Sequence, residues 1–299
     1  MTRIGLWMTC AASLLLYAAA SAEPMGEAIS KSGMVGGRER FFIEYIPKTL
    51  KPNAPLLFVL HPSGGDGQSM RGYSNFEFDE LADANGFMVV YPDGFENTWN
   101  DCRGGSPFSS KALKIDDVGF VRTLIDHEVE TRKIDKKRVF AAGWSNGAQL
   151  AYRLGLEYPD DFAGIAAISA SVPVKQSLDC GQTDKPIPAM VVNGTADPIN
   201  PFQGGMVRLG GAQLGNVLSS EDTAKYWAKL LGVTAAPQAS ELPHKGGRTS
   251  VSGLTWMKDG KPVVVHYTVR NGGHAMPLKG EDLDSPVAIW NFFSQLPGR

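Results

Sequence analysis

The chain has 299 residues, of which 43% are hydrophobic and 20% are charged, and its formal net charge is −2. This is the composition of an ordinary globular protein, long enough for one large domain or two small ones. No block of basic residues occurs, so nucleic acid is excluded as an expected partner.

The N-terminal residues have the pattern of a cleavable signal peptide. Arg3 gives a positive start, residues 4–20 are mostly apolar, and ASA at 20–22 is a small-residue cleavage site. We therefore predict a signal peptide over 1–22 and export to the periplasm or the cell exterior. No later apolar stretch is long enough for a membrane span, so no membrane association is expected after signal removal. A flexible, glycine-rich lead-in is predicted over 23–37.

Strands and helices alternate along the rest of the chain. Apolar runs predict strands at 40–46, 56–60, 87–91, 139–141, 164–169, 189–192 and 263–269. Helical spacing of apolar residues predicts helices at 75–85, 116–132, 148–154, 221–231 and 284–296. Alternation of this kind predicts a mostly parallel sheet covered by helices on both faces. No composition shift marks a linker, so residues 38–299 are predicted to form a single α/β domain.

The sequence GWSNG at 143–147 lies between a short apolar strand and a helix, which is the context that a nucleophile elbow needs. The turn holds its serine in a strained conformation, and the flanking glycines let the strand and the helix approach each other. We predict Ser145 as the nucleophile and the amide of Asn146, at the start of the helix, as an oxyanion donor. The alternative is a glycine-rich turn with an ordinary serine.

A serine nucleophile needs a base, and the base is oriented by an acid. His274 follows the last predicted strand in a Gly-Gly-His turn, and Asp197 follows the strand at 189–192. The order serine, acid, histidine is that of α/β hydrolases. The alternatives are a solvated loop histidine and an Asp-Pro turn residue. The other histidines are weaker candidates for the base, because each lies in a predicted loop, helix or strand that does not follow the serine and acid at a strand end: His61, His127, His244 and His266.

The second oxyanion donor should come from the loop after the strand at 56–60. Pro62 has no N–H, so the nearest amide is that of Ser63, with Gly64 behind it. His61 in this loop and Trp144 in the elbow are predicted to contact substrate. Trp99 is a further predicted substrate-binding residue, whose flat apolar face would form a wall for the alcohol or sugar portion. Its alternative is a buried loop anchor.

Cysteine usage agrees with export. Cys10 lies in the predicted signal, which leaves Cys102 and Cys180 as an even pair. In an exported chain this predicts one disulfide, near the rim of the site, and the alternative is two unpaired thiols. No C-x-x-C or His/Cys cluster occurs, so no structural zinc site is predicted.

Together these residues resemble the polyhydroxybutyrate depolymerase and feruloyl esterase family of secreted α/β-hydrolase serine esterases. The matching stretches run in family order: HPSGGDG (61–67), YPDG (91–94), WNDCRG (99–104), GWSNGAQLAYRL (143–154), NGTADPINPFQGG (193–205), SSEDTAKYW (219–227), NGGHAMP (271–277) and IWNFF (289–293). The resemblance implies an α/β-hydrolase fold, a Ser145–Asp197–His274 triad and no metal or organic cofactor.

Two positions depart from the family pattern. Family members usually carry His-Gly where this chain has His61-Pro62. Thr-Trp-Pro often follows the catalytic histidine, where this chain has AMP at 275–277. Without the aromatic residue beside the base, the resemblance leaves the acyl preference open.

The resemblance implies hydrolysis of feruloyl or acetyl esters of plant polysaccharide, or of short hydroxyalkanoate oligomers. A small-molecule or oligosaccharide ester is therefore the expected partner. A serine peptidase or acyltransferase on the same fold is one alternative, and a non-catalytic binding protein is another. The sequence ends just after its last predicted helix, without a linker and a polymer-binding module, so soluble esters are the expected substrates.

Overall fold

The structure is a computed structural model that describes residues 26–183 and 185–299, so the predicted signal peptide at 1–22 lies outside the described residues. The described strands are β1 (Glu27–Val35), β2 (Arg38–Ile46), β3 (Leu56–Leu60), β4 (Met88–Pro92), β5 (Val139–Trp144), β6 (Gly164–Ile168), β7 (Ala189–Gly194), β8 (Gly205–Leu209), β9 (Ala212–Val217), β10 (Gln238–Glu241), β11 (Ser250–Lys258) and β12 (Lys261–Arg270). The helices are α1 (Gly67–Tyr73), α2 (Glu77–Asn85), α3 (Ser109–Ala112), α4 (Asp117–Arg132), α5 (Asn146–Glu157), α6 (Ser220–Leu230) and α7 (Ser285–Ser294), with a 3₁₀ turn at Pro159–Asp161. None of the described helices is both long and apolar enough to span a bilayer.

Ten of these strands form one sheet in the order β1-β2-β4-β3-β5-β6-β7-β12-β11-β10. The six central strands, from β4 to β12, are parallel, and the antiparallel pairs lie at the two edges. The predicted mostly parallel sheet is confirmed. Because parallel strands end at one edge of a sheet, the loops after β3, β5, β7 and β12 are brought close together.

Helices cover both faces of the sheet, and each face has its own apolar core. In β3, Leu56, Phe58 and Leu60 pack toward α4, α5 and α6, while Leu57 and Val59 pack toward α1, α2 and α7. Alternate side chains of a strand point to opposite faces, so a strand buried on both faces must be apolar throughout. This is why β3 has the bounds that the sequence predicts.

The lead-in predicted at 23–37 is wrong for its larger part, because residues 27–35 form the edge strand β1. Its nine residues pair antiparallel with β2, from Glu27 opposite Ile46 to Val35 opposite Arg38. All nine β1 residues are exposed or half-buried. Backbone hydrogen bonds rather than apolar side chains hold this strand, so it carries no continuous apolar run that a sequence pattern would detect.

The segment from 198 to 217, which the sequence leaves without a predicted element, contains the β8–β9 hairpin. Val207, Leu214 and Val217 form a small apolar cluster of their own, against which Phe108 and Ile199 pack. This cluster is separate from the two cores on the faces of the main sheet. The hairpin therefore covers the carboxyl edge of the sheet as a distinct layer.

Candidate active site

Ser145 lies at a strained turn between β5 and α5. Its backbone angles are φ 55° and ψ −113°, a conformation that side-chain-bearing residues rarely adopt. A Cβ atom on Gly143 would collide with the backbone of Gly147, and one on Gly147 would collide with the carbonyl of Leu60. Only glycine at these two positions lets α5 pass this close to β3 and β5. The local geometry is that of a nucleophile elbow.

A continuous hydrogen-bonded chain links the three residues that the sequence predicts as a triad. The Oγ of Ser145 lies 2.9 Å from Nε2 of His274, and Nδ1 of His274 lies 2.7 Å from Oδ2 of Asp197. The side chain of Asp197 is fully buried, and that of His274 is 14% exposed. Two backbone amides, those of Ile199 and Asn200, donate to the other oxygen, Oδ1 of Asp197. The carboxylate is therefore fixed in position before any substrate binds.

The sheet topology explains why residues so far apart in sequence meet. Ser145 follows β5, Asp197 follows β7 and His274 follows β12, and β7 pairs directly with β12. The turn after β12 approaches so closely that a Cβ on Gly194 would collide with the backbone of Gly272. The amide of Ala196 donates to the carbonyl of Gly272 at 2.9 Å. Backbone contacts thus set the distance between the acid and the base.

Two amides beside Ser145 have no hydrogen-bond acceptor among the described residues: those of Ser63 and Asn146. The amide of Gly64, the other donor considered from the sequence, donates to the carbonyl of Asn97 at 2.8 Å. Ser63, Asn146 and Ser145 line the same pocket. The two open amides can therefore serve as donors to an oxygen bound next to the serine hydroxyl.

Trp99 and His61 do not reach substrate, so their predicted substrate-binding role is wrong. Both side chains are completely buried. The indole N–H of Trp99 donates to the carbonyl of His61 at 2.9 Å, and the two rings pack with centroids 4.6 Å apart. Nε2 of His61 accepts from the amide of Gly94, and burial lowers the pKa of His61 to about 4. The neutral His61 and Trp99 hold the loop of Ser63 against the loop after β4.

Trp144, the third predicted substrate-binding residue, is half-buried beside the base. Its ring centroid lies 6.3 Å from that of His274 and 5.6 Å from that of Tyr73, which packs edge to face on it. Tyr73 is 46% exposed. The pair packs beside His274, and neither ring is among the residues that line the pocket of Ser145.

The pocket at Ser145 contains residues that the sequence does not single out. It is narrow, and besides Ser63 its lining combines polar and apolar side chains: Arg103, Phe108, Gln149, Ser169, Asn200, Val207, Leu209 and Leu214. The hairpin supplies the last three. Gln149 lies one helical turn after Ser145, a position that could have been found from the i+4 spacing alone.

The loop after β4 is anchored to the elbow and to a distant segment. The side-chain amide of Asn146 donates to Oδ2 of Asp101 at 2.7 Å, and Asp101 pairs with the buried Arg103. Between them, Cys102 forms a disulfide with Cys180, with Cα atoms 5.1 Å apart. The predicted pairing is present, and it lies directly behind the pocket.

One described group has the composition of a metal site, but it is not part of this pocket. Ligand atoms of Glu44, His127 and Glu128 lie within 4.8 Å of one another, between β2 and α4. Glu44 already pairs with Lys31 and Arg132, which balance its charge. None of these residues lines the pocket of Ser145.

The other histidines hold structural positions. His266 is buried in β12 with Nε2 2.7 Å from Oγ of Ser220, and burial lowers the pKa of His266 to about 4. His244 lies 3.1 Å from Asp282. Among the histidines between residues 26 and 299, His274 alone contacts the hydroxyl of Ser145.

The fold and this site define the class of the protein, which is an α/β hydrolase with a serine at its elbow. Residues 45–208 match the family described as Phospholipase/Carboxylesterase. The chain therefore belongs to the phospholipase/carboxylesterase family, and it is a carboxylic ester hydrolase.

Named relatives agree with this assignment. The chain is 30% identical to "Putative esterase NocK" of Nocardia uniformis subsp. tsuyamanensis, over 76% of this chain and 67% of that protein. It is 30% identical to the bifunctional acetylxylan esterase/xylanase XynS20E of Neocallimastix patriciarum, over 84% of this chain but 32% of that protein. The chain thus spans about a third of the second relative. An acetyl xylan esterase from Aspergillus awamori has the same fold, with a TM-score of 0.61, 15% identity and coverage of 89% of this chain and 99% of that one.

Proposed function

We propose that this protein is an esterase in which Ser145 is the nucleophile, His274 the general base and Asp197 the residue that orients the base. The observation that carries the proposal is the hydrogen-bonded chain from the serine hydroxyl to a buried carboxylate, with the serine held in a strained turn. A hydroxyl is a weak nucleophile at neutral pH, and such a chain is what activates it.

The geometry supports a two-step reaction. Oγ of Ser145 attacks the ester carbonyl while Nε2 of His274 takes its proton, and the amides of Ser63 and Asn146 stabilise the resulting oxyanion. His274 then gives the proton to the departing alcohol, which leaves an acyl-serine. In the second step His274 takes a proton from water, the hydroxide attacks the acyl carbonyl, and the proton returns to Ser145. Asp197 stabilises the imidazolium in both steps.

The proposed substrates are soluble esters: feruloyl or acetyl esters of plant polysaccharide, or short hydroxyalkanoate oligomers. Relatives with names of these kinds include the acetylxylan esterase/xylanase XynS20E, feruloyl esterase B and poly(3-hydroxyalkanoate) depolymerase C. The pocket at the serine is narrow and partly lined by the hairpin, which favours a small acyl group over a polymer chain. The disulfide supports action in the periplasm or outside the cell, where such bonds persist.

Single substitutions in the triad test the mechanism. Ser145→Ala and His274→Ala should each lower kcat on p-nitrophenyl acetate by roughly 10⁴-fold or more, and the double variant should be little worse, because the residues act as a unit. Circular dichroism and thermal melting of the variants would establish that the fold is intact. Substantial turnover by folded Ser145→Ala would mean that another group is the nucleophile.

A substrate panel tests the class of reaction. The panel contains p-nitrophenyl esters, methyl ferulate and a peptide anilide. We expect hydrolysis of esters and none of the anilide, since an amide leaving group needs stronger protonation than an alcohol does. Faster cleavage of the anilide than of every ester would replace the esterase proposal by a peptidase one.

A further inference from the structure

Two buried side-chain carbonyls in the pocket of Ser145 have no hydrogen-bond donor among the described residues. They are Oε1 of Gln149 and Oδ1 of Asn200. The two residues are 1% and 2% exposed, and both line the pocket together with the serine. A buried acceptor without a donor costs about 1–3 kcal/mol, so native proteins rarely retain one without a reason.

The Gln149 amide is oriented by its nitrogen atom, whereas the partner of the Asn200 amide is a hydroxyl, which can either accept or donate. Nε2 of Gln149 donates to the carbonyl of Ser171 at 2.8 Å, and Nδ2 of Asn200 donates to the hydroxyl of Ser171 at 3.3 Å. A backbone carbonyl can only accept, so the Gln149 amide cannot be reversed without losing this bond. The bond from Nε2 to the carbonyl of Ser171 therefore also fixes the position of Oε1 of Gln149.

Both acceptors lie close to the reacting centre. Gln149 is one turn after Ser145 on α5, and its backbone N–H donates to the backbone carbonyl of Ser145 at 3.0 Å. The amide of Asn200 donates to Asp197, which contacts His274. Because Gln149 and Asn200 are each hydrogen-bonded through the backbone to a residue of the proposed triad, we expect an acyl group on Ser145 to meet their carbonyls near its first few carbon atoms.

We propose that Gln149 and Asn200 select acyl groups that carry a hydroxyl a few bonds from the ester carbonyl, as in esters of short hydroxyalkanoic acids. The substrate hydroxyl donates to one of the two carbonyls. A site built to bind a substrate hydroxyl discriminates against the analogue that lacks it, because the buried acceptor is then left unpaired. This inference rests on the proposed function and chooses among its acyl groups.

The position of the acceptors distinguishes the hydroxyalkanoates from the hydroxycinnamates. In a hydroxycinnamoyl ester a vinyl group and a whole ring separate the phenolic hydroxyl from the carbonyl, so that hydroxyl would extend past Gln149. An acetyl group has no donor at all. The hairpin adds the apolar side chains of Val207, Leu209 and Leu214 to the lining of the same pocket.

The test uses two matched pairs of substrates. Methyl 3-hydroxybutanoate, as each enantiomer, is compared with methyl butanoate, which has the same alcohol and the same number of acyl carbons. Methyl 4-hydroxycinnamate is compared with methyl cinnamate, in which the hydroxyl is remote. We expect kcat/KM to favour one 3-hydroxybutanoate enantiomer over butanoate by about tenfold, the effect of one hydrogen bond of about 1.4 kcal/mol. The cinnamate pair should give a ratio near one.

Variants then assign the preference to residues. Gln149→Met and Asn200→Leu keep the side-chain size but remove the carbonyl, and at least one of them should bring the butanoate ratio close to one. General damage to the site cancels in this ratio, since both esters share the same leaving group. If neither variant folds, the ratios of the parent enzyme still decide the question.

Three outcomes would overturn the proposal. They are equal kcat/KM for butanoate and both hydroxybutanoates, a preference confined to the cinnamate pair, and a butanoate-pair preference that both folded variants retain. Each of them leaves an active esterase, so the proposed function survives. Hydrolysis of no ester in either pair, nor of p-nitrophenyl acetate, would instead contradict the proposed function itself.

Discussion

Removal of the Cys102–Cys180 disulfide tests how the pocket is stabilised. The bridge joins residues 78 apart in sequence, and the chain-entropy relation for a loop of this length gives about 4.5 kcal/mol of stabilisation at 25 °C. Cys102 is completely buried, so truncation also removes some packing. We expect Cys102→Ala/Cys180→Ala to lower the free energy of unfolding by about 3–5 kcal/mol in urea titrations followed by circular dichroism and tryptophan fluorescence.

The same variant should lose little activity at 25 °C, because backbone bonds hold the two segments together in the folded state. The amide of Asp179 donates to the carbonyl of Cys102, and that of Gly104 donates to Ser177, each at 2.8 Å. The parent protein treated with dithiothreitol before unfolding is the matched control. The reasoning fails if the stability loss is below about 1 kcal/mol, or if two free thiols titrate in the denatured, unreduced parent.

Two further predictions concern charge and substrate contact. Burial, together with the charge of Glu44, raises the pKa of Glu128 to about 8 from its ordinary 4.5. The folded state therefore binds an extra proton between these values, and stability falls as pH rises from about 5 to 8. In thermal melts, the stability of Glu128→Gln relative to the parent should therefore increase as the pH rises across this window. A stability difference between the two proteins that does not change with pH would contradict this prediction. Tyr73→Ala should lower the kcat/KM ratio of an acetylated xylo-oligosaccharide to p-nitrophenyl acetate about threefold, since it removes a ring next to Trp144. Tyr73→Phe should keep the parent's ratio, and an unchanged ratio in Tyr73→Ala would contradict a substrate contact of this aromatic pair.

The sequence predicts those parts of the fold whose signal is local. The central strands are buried on both faces, so each appears as an apolar run, and β3 has the predicted bounds of 56–60. Edge strands such as β1 and the exposed β10 are held by backbone hydrogen bonds, which every sequence can make. The sequence pattern of residues 27–35 therefore predicts a lead-in, although these residues pair along their whole length with β2.

The residues of the candidate site also fall into those that the sequence can place and those that it cannot. Ser145, Asp197 and His274 each follow a predicted strand directly, and the edge of a parallel sheet brings such positions together. The role of Trp99 depended on whether a loop aromatic points inward or outward, and its sequence neighbours do not determine this. Its indole N–H has a buried acceptor in the carbonyl of His61, so the ring is held inside the loop instead of facing substrate.

Two different sets of interactions therefore hold the proposed triad and the pocket that surrounds it. The triad is positioned by strand ends in the main sheet and by backbone contacts such as that between Ala196 and Gly272. The outer pocket wall is a hairpin with its own small apolar cluster, Val207, Leu214 and Val217, separate from the two cores. A substitution in this cluster can change the space available to an acyl group without a cavity in either core. Gln149, by contrast, lies on α5 within one turn of Ser145, so the acceptor that we propose to select the acyl group is carried by the helix that begins directly after the proposed nucleophile.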